Sequence, residues 1–193
     1  MRIDILRISE IIRNDSTVLD LGCGQGELLF LLKNKKNAIV KGIDINEKNV
    51  LSCIEKGLSV FHGDMEEVLP HNRTKYYDYV VLSLTLHQVK NPEKIIDESV
   101  RVGKKVIISF PNFAYWKIRL KILLNGRLPS CDYSKYEWFT ENYVHFITVK
   151  EFENFCNKKG YEILSKNFLP EFASKLNPDL FSSSAIYCIR SRK

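Results

Sequence analysis

The sequence predicts an α/β fold in which a mostly parallel sheet of seven strands, the last of them antiparallel, carries helices on both faces. Apolar segments of strand type alternate with segments of helix type about five times between residues 17 and 111. The apolar segments are nearly continuous runs of Val, Ile and Leu, which is typical of parallel strands buried on both faces. A glycine-rich turn joins the first strand to the next helix, as in nucleotide-binding α/β sheets.

Each predicted strand is a short apolar run bounded by a turn or by a polar residue. The predicted strands are residues 17–21, 38–45, 58–61, 77–83, 105–110, 161–169 and 185–190. Between the last two lie Asn177-Pro178-Asp179 and a serine run, without a convincing helix. We therefore expect these two strands to be antiparallel neighbours.

The predicted helices have apolar residues at spacings of three and four and end at glycine or at polar residues. They are residues 3–12, 27–36, 47–56, 92–102, 116–124 and 149–159. Pro92 opens the fourth helix, and a capping box from Thr148 to Glu151 opens the last one. The segment 116–124 fits a strand as well as a basic helix, and we predict a helix because an α/β chain needs a crossover after its fifth strand.

Length and composition predict a single globular domain over residues 1–193. Hydrophobic residues make up 45% of the chain, and no apolar run reaches the roughly 20 residues that cross a bilayer. The five cysteines are scattered and form no CxxC pair of the kind found in zinc sites. We therefore expect a cytoplasmic protein without a signal peptide, a membrane segment or a metal site.

Positive charge is concentrated in one part of the chain. The net charge is +6, and residues 99–131, which include the basic run 101–127, contain seven Lys or Arg and no Asp or Glu. This run is either a solvated basic face or a docking surface for an acidic partner or an anionic substrate. No nucleic-acid-binding motif accompanies it, so we expect no nucleic-acid partner.

The candidate binding residues fall at the carboxyl ends of the predicted strands, where open α/β sheets bind ligands. In chain order they are Asp20, Gly22, Cys23, Gly24, Gly26, Asp44, Ile45, Gly63, Asp64, Met65 and Ser83, with His87 just beyond the fourth strand. Parallel strands bring these positions to one edge of the sheet. The pattern therefore predicts one site built from four strands.

These residue types suit a nucleoside that carries an ammonium group. Asp44 has two acceptor oxygens for the hydroxyls of a ribose, and Asp64 suits an exocyclic amine with Met65 against an adenine face. Asp20 either holds the loop or accepts a hydrogen bond from a ligand ammonium. The structural alternatives are that Asp44 and Asp64 cap helices and that Cys23 is a small filler in the turn.

Two cofactor classes compete for this site. A dinucleotide fingerprint needs G-x-G-x-x-G, whereas the third glycine here comes one position early and Glu27 puts negative charge where pyrophosphate would lie. The set of D-x-G-x-G-x-G, an acid after the second strand and Gly-Asp after the third resembles the class I S-adenosylmethionine-dependent methyltransferases. This resemblance implies a Rossmann-like fold, with the antiparallel seventh strand between the fifth and sixth, and S-adenosylmethionine or S-adenosylhomocysteine as the cofactor.

Further motifs narrow the resemblance to the MetW family of methionine biosynthesis proteins. They are residues 18–29, 77–83, 101–104, 109–113, 125–129 and 144–148. The run from Ser109 to Phe113, ahead of Trp116 and a basic stretch, is far more specific than the glycine loop. The resemblance implies a partner of homoserine O-acyltransferase in a hetero-oligomer, with the methyltransferase fold retained but methyl transfer not the established role.

Two positions depart from the MetW pattern. The family usually has an acid where Gln25 stands and a glutamine where His87 stands. His87 is similar to the histidine of the leucine–histidine motif in small-molecule methyltransferases. It is therefore either a structural residue at a strand end or a catalytic candidate, and the alternative function is an active methyltransferase on a small molecule.

The segment 126–146 is too aromatic for a plain linker. Its aromatic residues are Tyr133, Tyr136, Trp138, Phe139, Tyr143 and Phe146. A lid over a substrate is one interpretation, and a protein interface is the other, which we favour because aromatic residues supply much of the binding energy of interfaces.

Overall fold

The computed structural model describes residues 2–126 and 144–192, and its centre is one mixed seven-stranded sheet. The strands are β1 (Thr17–Leu21), β2 (Ile39–Asp44), β3 (Val60–His62), β4 (Tyr77–Ser83), β5 (Gly103–Pro111), β6 (Tyr161–Leu169) and β7 (Ser184–Ser191). Their order across the sheet is β3-β2-β1-β4-β5-β7-β6. Strand β7 pairs antiparallel with both β5 and β6, and the other pairs are parallel, which confirms the predicted fold class.

Helices cover both faces of the sheet. They are α1 (Ile3–Ile11), α2 (Glu27–Lys36), α3 (Glu47–Glu55), α4 (Met65–Val68), α5 (Pro92–Val102), α6 (Trp116–Asn125), α7 (Val149–Lys159) and α8 (Pro178–Phe181). The ambiguous segment after the fifth strand is helical, as predicted. The predicted cap of α7 is also present, because the Thr148 hydroxyl accepts the Glu151 backbone N–H at 3.2 Å. Among the described residues, no helix has the length and apolar character needed to cross a membrane.

The connection between β6 and β7 corrects one prediction. It contains a 3₁₀ turn at Glu171–Lys175 and the four-residue helix α8, where the sequence suggested no helix. The Asn177 side chain caps α8 by accepting the Leu180 N–H at 3.3 Å, and Pro178 occupies the first turn. A helix of one turn shows no apolar periodicity, so only this Asn-Pro pair signalled it.

Apolar side chains on the two faces of the sheet form two buried layers. On one face, Val80 and Ile108 pack with residues of α5 and α7. On the other, Val18 and Val81 pack with residues of α1 and α2. The layers hold the strands in fixed register, so the carboxyl ends of β1, β2 and β4 form a rigid edge. Because the chain crosses from β3 to β4 across β1, this edge includes the topological switch point where α/β sheets bind ligands.

Candidate functional site

The glycine loop between β1 and α2 adopts a shape that other residues would strain. Gly22, Gly24 and Gly26 all have positive φ, at 73°, 54° and 77°. A Cβ at Gly22 would lie 2.7 Å from Thr85 Cγ2, so this glycine is required for packing against the β4 side of the site. A Cβ at Gly24 would meet nothing within 4 Å, and Gly24 lines both cavities described below. The backbone at Gly24 is therefore open to close approach by a ligand.

Asp44, at the end of β2, holds the loop in this shape. Its Oδ2 accepts the Gly24 backbone N–H at 2.7 Å, and its Oδ1 accepts the Asn46 N–H at 2.9 Å and the Asn49 side-chain amide at 3.1 Å. The carboxylate is 7% exposed, at the wall of the larger cavity. The helix cap of α3 is Asn46, whose side chain accepts from Lys48, so Asp44 is not itself the cap. A ribose hydroxyl at this wall would meet a carboxylate that is already oriented.

Asp20, in β1, is a buried carboxylate with an unused oxygen. It is 2% exposed, and its Oδ1 has no hydrogen-bond partner among the described residues. It lines a cavity of about 210 Å³ together with Arg2, Gly24 and Ser83. Burial raises its pKa to about 7, with Arg2 opposing the shift and Asp44 adding to it. A buried acceptor without a partner beside a cavity fits a cationic donor such as an ammonium group.

Arg2, just before α1, crosses over the ends of β1 and β4. Its guanidinium pairs with Asp4 and donates to Ser83 Oγ at 3.1 Å. It lines both the smaller cavity and the larger one, which also share Gly22, Gly24 and Ser83. The two cavities are therefore parts of one cleft, with a cation and the carboxylate of Asp20 at the narrow end.

The wide end of the cleft is a cavity of about 680 Å³ with mixed polar and apolar walls. The residues of its outer wall are Asp44, Ile45, Asn46, Asn49, Asp64, Met65 and Glu66. Asp64 Oδ1 accepts the Glu66 N–H at 2.8 Å and so caps α4, as the structural alternative predicted. Asp64 nevertheless lines the cavity, with Met65 and the 70% exposed Ile45 as apolar surface for a planar ring.

Two predicted binding residues support the cleft without lining it. Gly26 leaves room for Leu58, whose Cδ1 would lie 2.6 Å from a Cβ there, and Gly63 leaves room for Phe61. Cys23 lines the smaller cavity, and its thiol fills the space that Gly42 leaves open, 2.6 Å from where a Cβ would be. Burial raises the pKa of the Cys23 thiol far above its ordinary value, which disfavours the thiolate that a nucleophile needs.

His87, in the 3₁₀ turn Leu86–Gln88 after β4, is turned into the protein. It is 1% exposed, does not line either cavity, and has no hydrogen-bond partner for Nδ1 within the described part of the chain. Its Nε2 lies 3.1 Å from Gln88 Nε2, and Gln88 does line the larger cavity. Burial and the neighbouring His145 lower the pKa of His87 to about 4, so the ring is neutral at pH 7. The structure thus separates the catalytic candidate from the cleft.

Sequence reasoning missed several residues of the cleft. Among them are Arg2, Asn46, Asn49, Thr85 and Gln88. The two asparagines could have been predicted, because Asn46 and Asn49 follow Asp44 by two and five residues, at the start of the next helix. Arg2 carried no such signal, since its place depends on how α1 lies across the sheet.

Most of the aromatic segment 126–146 is not described, because residues 127–143 lie outside the described residues. Of its aromatic side chains only Phe146 is described, where it meets the Phe113 ring edge-on at a centroid distance of 4.8 Å. The choice between lid and interface therefore stays a prediction.

Comparisons with known proteins agree with the fold. A model of the family described as "Methionine biosynthesis protein MetW" matches residues 2–189. A bifunctional methionine biosynthesis protein MetXA/MetW from Rhodopirellula baltica is 32% identical over 160 residues, which cover 78% of this chain and 26% of that protein. The chain thus spans about a quarter of the length of this relative.

Two methyltransferases are also similar to the chain. A demethylmenaquinone methyltransferase from Bacillus cereus is 27% identical, over 83% of this chain and 76% of that protein. A SAM-dependent methyltransferase from Archaeoglobus fulgidus superposes with a TM-score of 0.70 at 19% identity, over 97% of this chain and 91% of the other. At this low identity the superposition shows the fold alone, because one fold hosts many functions.

Proposed function

The chain belongs to the MetW family of methionine biosynthesis proteins, and we propose that it acts in the cytoplasm as an accessory protein of that pathway. In this proposal it binds a homoserine O-acyltransferase, raises its activity, and holds S-adenosylmethionine or S-adenosylhomocysteine in the cleft. The observation that carries the proposal is the Rhodopirellula baltica relative, whose name joins MetXA and MetW in one bifunctional protein.

The fusion supports a physical association between the two units. A covalent linker holds two domains at an effective concentration that reaches about the millimolar range. A direct binding surface serves the same end where the two units are separate chains. We therefore propose a hetero-oligomer between this chain and the acyltransferase, which we take to be the MetXA unit of the relative.

The cleft supports the nucleoside half of the proposal, since its two ends match the two ends of an adenosyl amino acid. At the narrow end, Asp20 would accept from the ammonium and Arg2 would donate to the carboxylate. At the wide end, Asp44 would accept from the ribose, with Ile45 and Met65 against the adenine. When bound, the cofactor supplies an activated methyl group as S-adenosylmethionine and none as S-adenosylhomocysteine.

The charge of the cleft disfavours a dinucleotide. Asp20, Asp44 and Asp64 lie at its walls, and Glu27 lies in the first turn of α2, where pyrophosphate would bind. The anionic phosphates would meet these carboxylates at short range in a partly buried site, which costs free energy. A ligand with a positive ammonium and no phosphate avoids that repulsion.

Two measurements test the proposal. The acyltransferase of the same genome, purified alone, should gain activity several-fold as the chain is added and should elute with it as a complex of fixed stoichiometry. Absence of both complex and activation would reject the accessory role. Calorimetry with S-adenosylhomocysteine should show saturable binding that Asp44→Ala abolishes and that Glu55→Ala, an exposed acid on α3, leaves unchanged.

An active methyltransferase on a small molecule is the second candidate. The similarity to the demethylmenaquinone methyltransferase favours it, although the buried and neutral His87 does not itself line the cleft. Transfer of a labelled methyl group to a defined metabolite by the purified chain would support this candidate. Loss of that transfer in His87→Ala, with nucleoside affinity unchanged, would assign the histidine a role in it.

A further inference from the structure

Helix α6 presents an apolar face to solvent. None of its side chains is buried, which is unusual for a helix with six apolar residues out of ten. The most exposed are Leu123 at 80% and Leu124 at 71%. Exposed apolar patches of this kind, bordered by polar residues, mark interaction sites on proteins.

The exposed apolar residues of α6 share one side of the helix. Trp116, Leu120 and Leu124 are spaced by four residues, and Leu123 follows Leu120 by three, so all four lie on one face. We call these four residues the α6 face. The charged residues of the helix itself are all cations, because α6 contains Lys117, Arg119 and Lys121 and no acidic residue.

The base of α6 is fixed to the protein body, so its face has a defined position. Arg119 pairs with Asp179 of α8 at 3.1 Å. Asn112, which is fully buried three residues before the cap of α6, donates from its side-chain amide to the carbonyls of Asp179 and Ser182, each at 2.9 Å. An apolar and cationic helix that is anchored at its beginning is partly preorganised for docking, since less conformational freedom is lost on binding.

We propose that the α6 face is the docking surface for the acyltransferase and enters an apolar groove bordered by carboxylates. This inference rests on the proposed function, because the fused relative provides the partner and α6 provides the surface. Charge complementarity sets the chemistry of the groove: Lys117 and Lys121 flank the apolar residues and would pair with acids at its border. Helix-in-groove binding of this kind depends on anchors spaced by three and four residues.

The experiment measures the affinity of the full chain for the purified acyltransferase by calorimetry. Leu123→Asp should weaken the complex at least ten-fold, because it puts a carboxylate into an apolar groove whose border also carries carboxylates. Leu51→Asp is the matched control, since Leu51 is 53% exposed on α3, and it should leave the affinity unchanged. Unaltered S-adenosylhomocysteine binding and thermal midpoint would show that Leu123→Asp still folds.

Charge is tested separately from apolar contact. Lys121→Glu should weaken the complex several-fold and flatten the dependence of affinity on salt, whereas Lys158→Glu, on the exposed side of α7, should do neither. If the wild-type complex forms and both α6 variants bind as well as wild type, the docking surface is wrong while the proposed function stands.

Other occupants of the α6 face give different results. If the wild-type chain and the acyltransferase do not bind each other, both the docking surface and the proposed function are rejected. Binding of the wild type to phosphatidylglycerol vesicles, lost in Leu123→Asp while the protein complex is intact, would assign the face to a lipid surface instead. A lower thermal midpoint of the free Leu123→Asp variant would show that other residues of the same chain pack on the α6 face. The face would then not be available to a partner, and the proposal would be overturned.

Discussion

Replacing Asp20 with asparagine should stabilise the free protein at neutral and alkaline pH. The folded protein holds this carboxylate at 2% exposure, and one of its oxygens has no partner in residues 2–126 and 144–192; burial raises its pKa from 3.8 to about 7. Between these two values the folded state binds more protons than the unfolded state. The stability that protonated Asp20 contributes is therefore fully present below pH 3.8 and is lost as the pH rises through about 7.

The size of the effect follows from the shift in pKa. A pKa shift of about three units corresponds to about 4 kcal/mol in the free energy of unfolding. Asp20→Asn should recover this amount at pH 8, because an amide stays neutral. At pH 5 the recovered free energy should be below about 2 kcal/mol, since most of the titration lies above that pH. Urea unfolding at pH 5 and pH 8 measures both values. Glu55→Gln, which removes an exposed carboxylate from α3, is the control and should keep the wild-type dependence on pH.

The same substitution should reduce ligand binding. An ammonium next to Asp20 stabilises its ionised form, so the affinity of wild type for S-adenosylhomocysteine should rise with pH up to about 7 and then level off. Asp20→Asn should bind more weakly and lose that dependence.

An Asp20→Asn variant that is no more stable than wild type at pH 8, or whose stability gain is the same at pH 5, would refute the argument from burial.

Three further substitutions test other parts of the structure. Arg2→Gln should weaken binding of S-adenosylhomocysteine about ten-fold and leave 5′-methylthioadenosine, which lacks the carboxylate, unaffected; calorimetry with both ligands decides this. Asn112→Ala should lower the free energy of unfolding by about 2–3 kcal/mol, because buried carbonyls lose their donor, whereas the exposed Asn125→Ala should have little effect in urea. Gly22→Ala should lower the free energy of unfolding by about 1–3 kcal/mol, because φ is positive there and the new Cβ would lie too close to Thr85. Gly126→Ala, which has a similar φ but open space, should lower it less. Equal losses in the two variants would show that the contact with Thr85 does not contribute.

The sequence predicted the sheet and the loop well because their signals are local. A buried parallel strand is a short run of Val, Ile and Leu, and the left-handed backbone of Gly22, Gly24 and Gly26 admits few other residues. Asp44 was predictable for a similar reason: a strand that ends on an acid puts that acid at the carboxyl edge. The ends of the strands were predicted less accurately: β3 begins at Val60 rather than at Leu58.

The parts that sequence could not predict depend on tertiary packing. Nothing in the order of residues says that Arg2 reaches Ser83, because that contact joins two segments through the position of α1 on the sheet. The sequence also did not indicate in which direction the His87 ring points. A residue just after β4 was expected at the ligand edge, but the 3₁₀ turn Leu86–Gln88 directs the ring inward and leaves Gln88 at the cavity.

The three hydrogen bonds at Asp44 affect how mutations in the cleft are interpreted. A substitution there removes the anchor of Gly24, and with it the shape of the loop, at the same time as any contact with a ribose. Its measured loss of affinity would thus combine disorder of the free protein with a missing contact. Asn49 touches only one of these oxygens, so a double-mutant cycle between Asp44 and Asn49, run with and without nucleoside, separates the cost of keeping the loop in place from the strength of the ribose contact.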